Sequence, residues 1–130
     1  MNYNSFTELK VYKKGRELRK EVSAIVKSKF PKEEKFLLTS QILDASRSIT
    51  ANIAEGHGRF YYQDNIRFCR ISRGSLEETL DHLITAFDDS YITSDDLKRL
   101  KIVHGDCLRL LNGYMRYLKE SKRGESDFSD

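Results

Sequence analysis

Proline is almost missing from this chain of 130 residues, with one copy against seven glycines, and that leaves little room for tight turns between many short elements. Few, long elements are the expectation. The two cysteines, Cys69 and Cys107, stand inside periodic segments at no metal-ligand spacing, which suits small core residues better than a disulfide or a metal site. No run of about 18 apolar residues occurs, and the opening MNYNSFTELK lacks the basic-then-apolar order of a signal peptide, so neither a membrane span nor export is expected and the cytoplasm is the default location. Strand-type alternation and internal repeats are also missing. So are G-x-S-x-G, a catalytic-cysteine signature and any distinct pair of carboxylates, so no catalytic residue and no cofactor are assigned.

What is present is helical periodicity in a chain the size of one domain. Ser5 and Glu8 have the spacing of a capping box, which places the start of a first helix there; Val11, Gly15, Leu18, Val22 and Ile25 form its apolar row until Phe30-Pro31 ends it. Gly15 in that row marks a close helix contact. A second helix from Pro31 to Glu55 carries the stripe Leu38, Ile42, Ala45, Ile49 and Ile53. In the third, Ile66, Cys69, Leu76, Leu80, Leu83, Ile84 and Phe87 share a face, while Phe68, Ser72, Ser75 and Thr79 make a second face small enough for another backbone to approach. Thr93 or Ser94 can cap a fourth helix, whose stripe is Leu97, Leu100, His104, Cys107, Leu111, Tyr114 and Leu118. The spans predicted are 6–29, 32–55, 61–89 and 94–119, with a disordered tail at 120–130. Short connections return the chain antiparallel, so the expected fold is an all-α, up-down-up-down four-helix bundle.

The stretch NIAEGHGRF, Asn52 to Phe60, sets two glycines, a histidine and an arginine together. A phosphate-cradling glycine loop leads from a strand into a helix, whereas this one follows a helix. Gly56 is therefore expected to stop the helix in a left-handed conformation, with a turn at Gly58. His57, between Glu55 and Arg59, leaves open a third hypothesis, an enzyme site at this corner. His57, His82 and His104 fall on three segments without the paired spacing of a di-metal bundle, so no metal is assigned.

Gln41, Asp44, Ser48, Asn52 and Glu55 form a polar seam beside the second helix's stripe. It reads either as a hydrogen-bonded network joining the second and third helices or as a ligand-contacting corner. The charge is uneven. Residues 1–35 hold ten Lys/Arg against five Asp/Glu, a balance of +5, whereas residues 61–90 hold three against six, a balance of −3. Lys13, Arg16, Lys20 and Lys27 lie near one face of the first helix; Arg59, Arg67 and Arg70 cluster at the start of the third. With Glu17, Glu21 and Asp64 among them, these groups suit either a solvated face or contact with phosphates.

Leu38 to Ala86 resembles the signature of the 23S rRNA intervening-sequence protein family, also called the S23 ribosomal protein family. The residues that carry the resemblance are Gln41, Ser48, Ile49, Asn52 to Gly56, Arg59, Arg67, Phe68, Arg73, Gly74, Ser75, Leu76, Glu78, His82 and Leu83. Weaker likeness in the flanks extends it over about Phe6 to Leu118. Asp44 departs from the basic residue that relatives commonly carry, and Thr50 from a common Pro. The resemblance implies a bacterial four-helix bundle, assembled as a homopentamer, with no catalytic activity assigned; no small-molecule substrate is evident. It also implies kinship with the accessory variability determinants of diversity-generating retroelements, whose partners are nucleic acid and a reverse transcriptase. On that basis the NIAEG corner and Arg73, Gly74 and Ser75 are structural joints. The function expected is that of an RNA or ribonucleoprotein accessory protein, with a protein-interaction scaffold as the alternative.

Overall fold

The chain enters its first helix through one tight turn. In a computed structural model describing residues 5–126, and side chains through residue 121, Phe6–Glu8 form a 3-10 turn. The Ser5 hydroxyl oxygen accepts from the Thr7 amide at 3.2 Å and from the Thr7 hydroxyl at 2.8 Å, so no box closes with Glu8. Leu9 is extended, and helix α1 proper covers Lys10–Lys29. A second 3-10 turn, Lys32–Glu34, follows Pro31, and the backbone breaks at Leu37 before α2, Leu38–His57. Pro31 therefore opens a separate turn instead of α2. The orphan amide at the start of α2 is met by the Glu34 carboxylate, which accepts from Leu38 N–H at 3.2 Å and from the Tyr91 hydroxyl at 2.6 Å. Helix α3 spans Tyr62–Asp88 and α4 spans Ser94–Ser126. Helix α4 thus continues past the expected end at 119, and residues 127–130 of the predicted tail lie outside the described residues.

Among the described residues there are four helices and no strands. Helix α1 packs on α2 and α4, α3 packs on the same two, and the backbones of α1 and α3 sit diagonally without close approach. Early residues of one helix meet late residues of the next. Ser48 and Gly56 of α2 face Ser75 and Asn65 of α3, and Arg73 and Asn65 of α3 reach Asn112 and Tyr114 of α4. Lys29 of α1 holds Asp96 of α4 at 2.5 Å, beside an Arg99–Glu21 pair. Those three helix pairs run antiparallel. Among the described residues no helix is long and apolar enough to cross a membrane.

The core takes most of the predicted stripes, with Leu80, Leu97 and Tyr114 only half-buried, and adds Val26, Ala86, Ile92, Val103 and Met115. Gly15 lies under α2, where a Cβ would stand 3.2 Å from Thr50 Cγ2 and 3.3 Å from Ile49 Cγ2. Cys69 and Cys107 are buried free thiols, and burial pushes them up to about 11 and about 12 respectively.

The third helix keeps its expected small-residue face and loses the end of its expected apolar one. Ile84 and Phe87 stay more than a third exposed, whereas Ser72, Ser75 and Thr79 are buried against α2. Small hydroxyl residues win because their bonds are completed inside: Ser72 donates to the Ile49 carbonyl at 2.8 Å, and Thr79 to the Ser75 carbonyl at 2.8 Å. Two backbones can then close together.

Of the two glycine expectations at the end of α2, the turn at Gly58 holds and the left-handed stop at Gly56 does not. Gly56 is buried inside α2, which runs on to His57, and Gly58 caps it in ordinary right-handed geometry. Among the described residues no glycine has a positive φ. The left-handed stop occurs instead at Ser90, φ 66°, after α3. There Tyr91 N–H reaches the Ala86 carbonyl at 2.8 Å and Ser90 N–H the Phe87 carbonyl at 3.0 Å, the two bonds of a Schellman ending. Thr93 then caps α4 reciprocally: its hydroxyl accepts from Asp96 N–H at 3.1 Å, and the Asp96 carboxylate accepts from Thr93 N–H at 3.0 Å.

Candidate nucleic-acid interface

Helix α1 buries Val11, Leu18, Val22 and Ile25, so residues on the opposite side of the same turns must face outward. Lys13, Arg16, Lys20 and Lys27 occupy that side and are all exposed. The acids between them are drawn sideways. Glu17 pairs with Lys14 at 2.9 Å and Glu21 with Arg99 of α4, while Arg19 donates to the Thr50 hydroxyl at 3.2 Å. Lys13, Arg16, Lys20 and Lys27 are left without an ion pair among the described residues.

The second basic group is sorted differently. Arg59 holds Glu55 at 2.9 Å and lies over the Phe68 ring at 4.8 Å. Arg67 holds Asp64 at 3.1 Å with its guanidinium 5.8 Å from the same ring. Two arginines therefore flank one aromatic side chain, each carrying its own carboxylate. Arg70 has no such partner and lines a cleft between α3 and α4.

That cleft has a volume of about 340 Å³ and is lined by Arg70, Arg73, Asn112, Met115, Arg116 and Lys119. Among the described residues four cations and no carboxylate face it. Arg73 Nη1 donates to Asn112 Oδ1 at 2.9 Å, a neutral partner that holds the guanidinium without cancelling its charge. A second cleft, between α1 and α4, is lined by Glu21, Lys29, Asp96 and Arg99 among others, and its charges pair off internally. Sequence alone marks Arg73 as a structural joint and carries no signal for Asn112, Arg116 or Lys119. Arg70 and Arg73, like Arg116 and Lys119, are three residues apart on a helix, but only antiparallel packing sets the two turns opposite each other.

In the polar seam, Ser48 Oγ and Ser75 Oγ are 2.7 Å apart and link α2 to α3. Asn52 Nδ2 donates to the Ser48 carbonyl and hydroxyl oxygens, both at 2.8 Å, so it braces Ser48 within α2. Gln41 and Asp44 are exposed and take no part. Gly74 is exposed, with no atom within 4 Å of a Cβ built on it. His57 lines neither cleft. His82 meets Glu78 one turn away at 3.1 Å; buried His104 meets Glu77 across the α3–α4 contact at 2.7 Å. Among the described residues no group of three His, Cys, Asp or Glu side chains converges as a metal site would require.

Comparison with curated proteins gives no match. Among solved structures, a protein of unknown function from the S23 ribosomal protein family of Bacteroides thetaiotaomicron is similar, with a TM-score of 0.74 and 24% identity over 81% of this chain and 97% of that one. At that identity the likeness concerns the four-helix fold. The 23S rRNA-intervening sequence protein family matches residues 7–113, from the first turn through most of α4 and across both basic regions, and the chain belongs to that family.

Proposed function

We propose that this chain is a non-enzymatic, self-associating helical bundle that binds RNA or a ribonucleoprotein as an accessory factor. The observation that carries the reading is the outward row Lys13, Arg16, Lys20 and Lys27, exposed and without an ion pair among the described residues while Glu17 and Glu21 are held elsewhere. Free cations in a row along a helix can neutralise successive phosphates and release the counterions that surround them. The family's tie to intervening sequences of 23S rRNA supports an RNA setting. Self-association has its own support, because Ile71, Ile102 and Tyr117 are 47%, 67% and 62% exposed on the outer faces of α3 and α4. The assembly expected is a ring of five.

The test is the light-scattering mass of the purified protein with and without a structured RNA, at low and high salt. A complex that forms at low salt, dissociates as salt rises and is lost in Lys13→Glu/Arg16→Glu/Lys20→Glu supports the reading. An oligomer indifferent to RNA at every salt concentration favours the second reading, a protein-interaction scaffold built on the exposed apolar residues of α3 and α4.

A further inference from the structure

We infer that the cleft between α3 and α4 is a binding site for a phosphate-bearing ligand, gripped by Arg70, Arg73, Arg116 and Lys119. This site is separate from the α1 row and stands whether or not that row binds RNA.

The inference begins with an imbalance. Four arginines outside the cleft carry their own acids: Arg59 has Glu55, Arg67 has Asp64, Arg99 has Glu21 and Arg109 has Asp106, whereas Arg16, Arg19 and Arg47 make no ion pair among the described residues but line neither cleft. The α1–α4 cleft is likewise neutralised by its own pairs. Among the described residues, four cations share the α3–α4 cleft with no acid lining it, and Arg70, Arg116 and Lys119 make no ion pair. Like charges held together repel, and the repulsion is strongest where a concave wall excludes water. An anion seated in the cleft relieves it.

Chemistry and size narrow the anion. Guanidinium groups present planar forks that match the paired oxygens of a phosphate, and a lysine adds a point charge. Arg73 is pre-positioned by Asn112 Oδ1, so less freedom is lost when it binds. The Asn112 amide group keeps its own N–H donors for a further oxygen. Buried Met115 gives the cleft an apolar patch, on which a sugar or base edge can rest. A volume of about 340 Å³ lies at the small end of ligand sites, enough for two linked phosphates with part of a nucleoside. Two sources supply that chemistry, a free nucleoside diphosphate or pyrophosphate and the backbone of an RNA strand.

The experiment measures two probes against three proteins. Inorganic pyrophosphate is titrated calorimetrically, and a short fluorescent single-stranded RNA is followed by anisotropy. The proteins are the unaltered chain, the cleft variant Arg70→Glu/Arg116→Glu, and the α1 variant Lys13→Glu/Arg16→Glu/Lys20→Glu. The cleft variant is expected to lose pyrophosphate affinity by about tenfold or more, while the α1 variant keeps it. A parallel loss of RNA affinity in the cleft variant identifies the RNA backbone as the source; loss of pyrophosphate alone identifies a free phosphate-bearing ligand. If the unaltered chain binds neither probe, or the cleft variant binds both as well as the unaltered chain does, the inference is overturned. RNA binding unchanged in the α1 variant counts against the α1 reading alone. Arg70→Gln/Arg116→Gln, which removes charge without adding any, serves as the second variant should the reversal impair folding, as judged by circular dichroism.

Discussion

A side-chain oxygen of Asn65 lies where a methyl group on Gly56 would have to go. A Cβ built on Gly56 stands 2.7 Å from Asn65 Oδ1, 3.0 Å from Phe68 Cβ and 3.1 Å from the Asn65 carbonyl oxygen. Asn65 cannot swing aside freely, because it is buried and its Nδ2 donates to the Tyr114 hydroxyl at 3.1 Å. Gly56→Ala should therefore destabilise the fold by about 1–2 kcal/mol, overpacking outweighing the gain of about 1 kcal/mol from better helix propensity. Urea unfolding measures it; a variant more stable than the parent would show that propensity, not packing, governs this position.

Ser90 bears the opposite strain. It is the one non-glycine among the described residues with a positive φ, 66°, and it occupies the position that ends α3. Ser90→Gly should stabilise by about 0.5–1 kcal/mol, since glycine adopts that geometry without a Cβ clash. A drop in the thermal midpoint would contradict the assignment of strain to this residue.

Ser48 and Ser75 give a direct measure of the seam. Their hydroxyl oxygens are 2.7 Å apart across α2 and α3. A double-mutant cycle through Ser48→Ala and Ser75→Ala should return a coupling of about 0.5–1.5 kcal/mol. Asn52→Leu should cost less than loss of a fully buried network, because Asn52 is half-buried and both its bonds stay within α2. Zero coupling in the cycle would assign helix joining to packing alone.

Asp96 should leave a mark on acid stability. The Lys29 ammonium, and then the Thr93 amide, hold its carboxyl at about 2 against an ordinary 3.8. A depressed value in the folded state means the unfolded chain takes the proton first, so this stabilisation is complete above 3.8 and is lost as pH falls toward about 2. Asp96→Asn should be less stable at neutral pH and should lose less over that acid window, as followed by denaturant midpoints at successive pH values. Parallel pH profiles for the two proteins would rule the pair out as a contributor.

The helices, their approximate spans and their core stripes were legible because burial of an apolar face imposes a period of three and four residues whatever the neighbours are. Gly15 was legible for the same reason, as a glycine in an apolar row. The turns were less so. Whether Glu8 closes a box, or Gly56 turns left-handed, depends on where the neighbouring segment lies: Gly56 is needed for the approach of Asn65 and Phe68, and Ser90 accepts a glycine's conformation because its loop demands it.

Charge divides along the same line. Composition and periodicity alone put Lys13, Arg16, Lys20 and Lys27 on one face of α1, since these are local properties of one helix. Which cations remain free was decided by tertiary structure, because an ion pair depends on what lies within a few ångströms, often from another helix. Packing gave Glu21 to Arg99, while the turn at the head of α3 left Arg59 and Arg67 their own acids. Antiparallel docking of α3 and α4 then set Arg70 and Arg73 against Arg116 and Lys119, a cluster whose members lie too far apart along the chain for any sequence period to connect them.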